Sequence, residues 1–253
     1  MNAYSESSAD AKSVSRSAIT SFYLAIVAAL LAVLGGFGSR WGWWHFRIGF
    51  IIMLLALLGG LIAIVLSIIG VISTRPSATR RGFIYAIFGL LVSLIVVGLP
   101  LNLIINGFRL PPIHDITTDT ENPPRFVAIL PLRKDADNPS DYGGPGIAAQ
   151  QHKAYPNIRP ATLNLKPAQA FERALAAARD MGWDIVEAAP AEGRIEATAR
   201  TFWFGFKDDV VVRVTPSGDG SRIDVRSVSR VGKSDVGANA KRIRTYLERL
   251  QNR

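Results

Sequence analysis

Hydrophobic positions in this chain are segregated. Between residues 18 and 106 Leu, Ile, Val, Ala, Gly and Phe dominate, whereas beyond Arg109 apolar and polar residues mix as in a water-soluble domain. A helix needs about 20 apolar residues to span a bilayer, because every backbone polar group must be satisfied within the segment. Three stretches meet that need, from about Ala18 to Gly38, Ile48 to Ile72 and Gly82 to Asn106, each free of Asp, Glu, Lys, Arg and His. Lys12 and Arg16 precede the first as they would in a secretory signal. The run is longer than a signal core, lacks an Ala-x-Ala ending and is followed by two more spans, so retention is expected.

Residues 109–160 are rich in Pro and contain the turn-forming run from Asp141 to Gly146, and no helical period is visible in them. A short strand is expected around Phe126 to Leu130, the remainder being an extended segment that wraps a core or links it to the membrane. From Leu165 the pattern sharpens. Pro167 suits a first helical turn, Phe171, Leu175, Ala178 and Met181 repeat at helical spacing, and Gly182 supplies a stop. Alternating runs follow at Trp183–Ala188, Gly193–Phe206, Asp209–Thr215 and Arg222–Val231, separated by turn signals. A closing helix is expected from about Ser234 to Gln251, buried through Val236, Ala240, Ile243, Leu247 and Leu250 and capped by Ser234 or Asp235.

The predicted fold is therefore a membrane-anchored α+β protein, with three transmembrane helices followed by an antiparallel sheet of four or more strands flanked by two helices. The expected domains are a cytoplasmic tail (1–17), the transmembrane region (18–108), the Pro-rich segment (109–160) and the α+β domain (161–253). Strand alternation puts Ile195, Ala197, Ala199, Val210, Val212, Val214, Ile223 and Val225 on the face that receives the helices. The opposite face carries Glu196, Thr198, Arg200, Phe202, Val211, Arg213, Asp224, Arg226, Val228 and Arg230. Its mixture of apolar and charged residues implies a cover, and the Pro-rich segment is the nearest one.

Charge adds an orientation. Lys12 and Arg16 flank the first span and Arg75, Arg80 and Arg81 fill the second loop, against Arg40 and Arg47 in the first loop. Basic flanks are held on the cytoplasmic side, which makes the N-terminus cytoplasmic and, after three crossings, the C-terminal domain periplasmic or extracytoplasmic at the inner (plasma) membrane. Trp41, Trp43 and Trp44 in the first loop read as an interfacial anchor. Ala28, Ala32 and Gly36 form a small-residue stripe that predicts close helix packing in a bundle or a homo-oligomer. The spans lack the ionisable mid-membrane groups that transport needs. Beyond residue 108 the chain has 22 basic against 18 acidic residues, interleaved, so no nucleic-acid partner is expected. Absence of Cys removes disulfides, thiol nucleophiles and thiolate metal sites.

Two runs carry a family likeness, Phe202 to Val214 (FWFGFKDDVVVRV) and Asp224 to Asn239 (DVRSVSRVGKSDVGAN). Together with His114 to Asp119 (HDITTD) and Pro123 to Phe126 (PPRF), they resemble the family called domain of unknown function 1499, over essentially residues 109–253. The resemblance implies placement in a bacterial cell envelope and brings no established reaction.

The segment from Arg226 to Asn239 is the leading candidate surface. Arg226, Arg230 and Lys233 precede a helix whose free amides would hold an anion, with Ser227, Ser229 and Ser234 as donors, Asp235 and Asn239 at the helix start, and Arg200 on the same sheet face. The structural alternative is that Ser234 or Asp235 caps the helix while the arginines pair with Glu196 and Asp224. Asp208 and Asp209 would be an acid/base pair, yet neighbours on a strand point to opposite faces, and a turn with one solvated carboxylate is the simpler reading. Asp115 and Asp119 lie near His114, but the three His residues (45, 114 and 152) fit no metal spacing. No catalytic Ser, His and Asp set, phosphate loop or dinucleotide fingerprint is present, so no cofactor is expected. These observations favour a noncatalytic envelope module that binds a protein partner or an anionic envelope ligand. An envelope hydrolase using Asp115, Asp119, Asp208 or Asp209, and a subunit of a larger membrane complex, are the alternatives.

Overall fold

The structure, a computed structural model, describes residues 13–252; Lys12 and most of the expected 1–17 tail lie outside the described residues. The chain divides into two compact units, one through Asn102 and one from Leu103. Three helices open it: α1 (Arg16–Arg40), α2 (Phe46–Thr74) and α3 (Phe83–Phe108). All three are long and apolar enough to cross a membrane. Ser15 caps α1 through its hydroxyl, and Ser15 N also donates to Arg81 O at 2.9 Å.

Small residues bring these helices together. The buried positions of α1 are Ala, Gly and Ser only, including Ala28, Ala32 and Gly36 of the predicted stripe. Facing them, α2 contributes Gly60, Ala63, Ser67 and Gly70, and α3 contributes Ala86, Gly89 and Ser93. A Cβ added to Gly89 would stand 2.9 Å from Ser67 Oγ and 3.0 Å from Ser21 Oγ, so one glycine marks the meeting point of all three helices. Leu, Ile, Val and Phe are left on the outside, an apolar surface compatible with embedding in a bilayer. In the first loop Trp44 packs where a Gly38 side chain would sit, and its indole donates to Gly35 O at 3.3 Å.

The second unit is built on a six-stranded antiparallel sheet: β1 (Asp115–Thr117), β2 (Ala161–Leu163), β3 (Asp184–Ala189), β4 (Arg194–Arg200), β5 (Lys207–Ser217) and β6 (Gly220–Ser229). Strands β3 to β6 form the expected meander. Both short strands pair with the far edge of β6, β1 against Arg226 to Val228 and β2 against Ser221 to Ile223, so the Pro-rich segment supplies β1 to the sheet and is followed at once by β2. Two helices, α5 (Pro167–Asp180) and α6 (Ala238–Gln251), cover the face read from alternation, burying Phe171, Leu175, Ile243 and Leu250 against Ile195, Val210, Val212 and Ile223. Trp183 stacks on Tyr246 at 4.9 Å within that core.

Several boundaries differ from the sequence reading, each for a local reason. A helix, α4 (Pro145–Ala154), forms inside the Pro-rich segment, starting after Gly144 in a positive-φ conformation and running through good helix formers. The buried carboxamide of Gln151 then accepts from Thr117 N at 2.9 Å and donates to Thr117 O at 2.7 Å, acting as a strand partner for β1. No strand forms at Phe126 to Leu130. That stretch turns into a 3-10 helix (Leu130–Arg133), because a carboxylate gathers its amides as described below. Strand β4 stops at Arg200, and Thr201 to Phe206 make the hairpin tip, which takes Phe202 off the sheet face and leaves it 80% exposed. Helix α6 begins at Ala238 with Gly237 at its N-cap, later than Ser234.

Substituting Gly89→Leu is expected to overpack the helix junction and destabilise it by about 1–3 kcal/mol, seen as a lower thermal midpoint of helicity for the detergent-solubilised protein.

Candidate functional site

Strand alternation divides the Arg226 to Asn239 segment between two faces. Ser227 and Ser229 point toward α6, where Ser227 Oγ meets Asn239 Oδ1 at 2.7 Å and Asn239 Nδ2 donates to Ser229 Oγ at 3.0 Å and to His114 O at 2.9 Å. Arg242 of α6 joins this network through Ser227 Oγ at 3.0 Å and through Asn239 Oδ1, and it forms an ion pair with Asp208. Asp235, two residues before the Gly237 N-cap, turns its carboxylate onto the helix start, accepting from Gly237 N at 2.9 Å and Asn239 N at 2.7 Å. Burial pushes its carboxyl above the ordinary carboxylate range, with these two backbone bonds opposing the rise. The amides counted on for an external anion are thus taken by an internal one, and Asp235, not Ser234, performs the capping.

Arg226 and Arg230 point the other way, into the layer formed by the Pro-rich segment. Arg226, 2% exposed, makes a two-pronged pair with Asp115 (Nε to Oδ1 at 2.9 Å, Nη2 to Oδ2 at 2.7 Å) and donates further to Pro124 O and Ser140 O. Burial drives the Asp115 carboxyl upward, and the hydrogen bonds and charge of Arg226 pull against that drive. Arg230 binds both oxygens of Asp209 at 2.8 and 2.9 Å, and Arg133 donates to the same carboxylate at 2.6 Å. The partners are therefore Asp115 and Asp209, in place of Glu196 and Asp224. Glu196, fully buried, instead pairs with Arg194 and accepts from three successive amides, Val127 N at 2.8 Å, Ala128 N at 3.1 Å and Ile129 N at 2.9 Å. A small apolar cluster of Phe126, Ile129, Val211 and Val228 fills the space between these charges.

The remaining sequence candidates fall at separate places. Asp208 and Asp209 do point to opposite faces, but both are buried, at 2% and 0% exposure, so neither is the solvated turn carboxylate expected. Asp119 pairs with Arg213 and Arg222 at 3.1 and 2.9 Å. Lys233 is exposed, and Ser234 Oγ accepts from Val236 N at 3.2 Å. Arg200 sits at the other end of β4, 3.2 Å from Asp184. Among the described residues no three His, Asp or Glu side chains converge as metal ligands would.

Where the wrapping segment crosses Arg226 it leaves a cleft of about 420 Å³ walled by Pro123, Phe126 and Leu130 and carrying the polar groups of Arg125, Ser140, Asp141, Tyr142 and Arg226. The Arg226 guanidinium lies 5.3 Å from the Phe126 ring centre and 5.6 Å from that of Tyr142, a cation held between two aromatic rings. Tyr142 Oη is buried with no hydrogen-bond partner in the structure. Burial pushes its ionisation up to about 12, so the hydroxyl remains a proton donor at neutral pH. Arg125 is exposed and has no ion-pair partner among the described residues. Of Asp115, Asp119, Asp208 and Asp209, none lines this cleft. Sequence reasoning missed Arg125, Tyr142, Arg133 and Arg242, none of which stands in a periodic pattern; the paired Pro123 and Pro124 before Arg125 were the available signal.

An apolar three-helix region followed by an α+β domain whose polar sheet face is sealed by its own Pro-rich segment defines a membrane-associated protein with a separate folded domain. The family model described as "Protein of unknown function (DUF1499)" matches residues 115–250, and the chain belongs to that family. A comparison with curated proteins finds no match.

Removing either anchor of the wrap should unfold it. Arg226→Ala leaves Asp115 buried and unpaired and is expected to cost about 3–5 kcal/mol, with Arg226→Lys recovering only part because an ammonium cannot grip both oxygens. Glu196→Ala orphans three amides and is expected to cost about 2–4 kcal/mol and to open residues 126–133 to protease. Denaturant titration and limited proteolysis of the full chain in detergent measure both.

Proposed function

We propose that this protein is a noncatalytic, multi-pass module of the inner (plasma) membrane whose extracytoplasmic domain binds an anionic envelope ligand or an acidic group of a protein partner in the Arg125–Tyr142 cleft. The observation that carries the reading is the cleft itself. It offers an unpaired guanidinium at Arg125, an unsatisfied phenol donor at Tyr142 and the edge of Arg226, with aromatic walls. Its volume of about 420 Å³ is in the range of small-molecule sites, which run from roughly 300 to 1,000 Å³. Arg125 and Tyr142 are its open donors and Asp141 its one carboxylate, and a lining weighted toward donors in this way favours a group rich in acceptor oxygens, such as a carboxylate or phosphate. Arg226 enters as a fixed wall, since its own hydrogen bonds go to Asp115, Pro124 and Ser140.

One feature supports the binding reading over a hydrolase. Each Asp that would serve as acid or base is held by arginine, and acid/base work needs a carboxylate that is free to exchange a proton. Placement outside the cytoplasm is supported by Arg75, Arg80 and Arg81 in the second loop against Arg40 and Arg47 in the first.

Two measurements test the reading. Alkaline phosphatase fused to the C-terminus is expected to be active and a green fluorescent reporter there dark; the reverse pattern places the domain in the cytosol. Citrate and inorganic phosphate are expected to raise the thermal midpoint of the purified full chain, with Arg125→Ala weakening the effect by about tenfold in concentration and Tyr142→Phe by less. Equal responses of both variants and the parent protein would remove the cleft as the site.

A further inference from the structure

The β4–β5 hairpin ends in four aromatic residues within five positions, Phe202, Trp203, Phe204 and Phe206. This tip is an ordered turn. Thr201 N donates to Phe206 O at 2.9 Å, Phe206 N to Thr201 Oγ1 at 2.9 Å and Gly205 N to Thr201 O at 3.1 Å, with Gly205 at φ +69. Phe204 and Phe206 stack at 5.5 Å, Trp203 meets Phe204 edge-on at 5.7 Å, and Phe202 stands 80% exposed. Burying aromatic area is worth more than almost any other side-chain contribution, so a rigid turn that holds an exposed phenylalanine outward is built for something apolar beyond the domain.

A second observation fixes what that something is. At the root of the hairpin lies a cavity of about 310 Å³ with Trp183 and Met181 in its wall and Arg200, Thr201, Lys241 and Arg242 around it. Lys207, opposite Arg200 in the strand register, and Lys241 are both exposed. Arg242 is committed to Asp208 and Arg200 to Asp184, which leaves Lys207 and Lys241 as the outward cations. Aromatic rings at a tip with cations set behind them match the layering of a bilayer surface, with rings at the acyl boundary and ammonium or guanidinium groups among the phosphates. A membrane surface accompanies this chain wherever its three apolar helices go, and only six residues separate Phe108 of α3 from Asp115 of β1, so the local concentration of lipid is high.

We propose that the Phe202–Phe206 tip is a second membrane contact, which seats its rings in the interfacial layer of the bilayer and places an anionic phospholipid headgroup against Lys207 and Lys241. This surface is separate from the Arg125–Tyr142 cleft and stands or falls without it.

The chain has no cysteine, so single thiols report position cleanly. Full-length Phe202→Cys, and as an internal control Asp219→Cys at the opposite hairpin tip, each carry an environment-sensitive fluorophore in phosphatidylcholine vesicles with or without phosphatidylglycerol. The two tips are separated by the length of β5, about 35 Å for its 11 residues. Doxyl-labelled lipid is expected to quench the label at 202 at least about threefold more than that at 219, with phosphatidylglycerol strengthening the difference. Adding Lys207→Gln and Lys241→Gln is expected to erase the phosphatidylglycerol dependence while quenching in phosphatidylcholine persists. Equal quenching at 202 and 219 overturns the proposal. So does energy transfer between labelled copies in place of lipid quenching, which would assign the tip to a second copy of this chain. Phosphatidylglycerol dependence that survives the double substitution overturns the headgroup assignment.

Discussion

Charge neutralisation beneath the wrapping segment is the constraint on which the aqueous domain depends. The second sheet face carries Glu196, Asp209 and Arg226, and a buried ion is tolerable only when partners replace the water it has lost. The Pro-rich segment supplies part of that set: Asp115 for Arg226, Arg133 beside Arg230 for Asp209, and the amides of Val127 to Ile129 beside Arg194 for Glu196. Arg226 and Asp115 in particular have each other as ion-pair partners across the two layers. The Pro-rich segment is ordered because the sheet needs its donors and acceptors, and only a small apolar cluster helps to hold it down.

The same arrangement separates structural charge from available charge. Arg226 and Arg230 sit in the most distinctive stretch of the sequence, yet their hydrogen bonds are directed inward. Arg125, in a less conspicuous position, keeps an open guanidinium beside a tyrosine hydroxyl that lacks a partner. Functional reasoning therefore moves a short way across the molecule, from the Arg226–Asn239 turn to the cleft that Arg226 helps to wall.

Much of the architecture was legible from period alone. Runs of apolar residues gave the three long helices, and two-residue alternation gave the meander, the helix-bearing face and the need for a cover over the other. What escaped were features set by pairs distant in sequence. Nothing local marks residues 126–130 as a turn, since the group that bends them is Glu196 on another element. Nothing local marks Gln151 as a strand surrogate for Thr117, so α4 went unseen. Aromatic residues after Arg200 continued the strand pattern on paper, whereas the hydroxyl of Thr201 closes the turn there. The candidate site shared this fate, because Arg125 and Tyr142 meet only after the segment has folded across the sheet.

Strand β6 receives partners from three directions in sequence: β5 immediately before it, and β1 and β2, which precede it by about a hundred and about sixty positions. During synthesis the earliest strands leave the ribosome long before the surface they seal exists, and long-range pairing of this kind is slow. The nascent domain therefore holds open backbone donors and acceptors until nearly all of it has been made. A chain truncated before Gly220 would retain helices α1 to α5 and most of the meander but have no edge for its first strand to join, which makes completion of the last hairpin the event that commits the whole unit to its native topology.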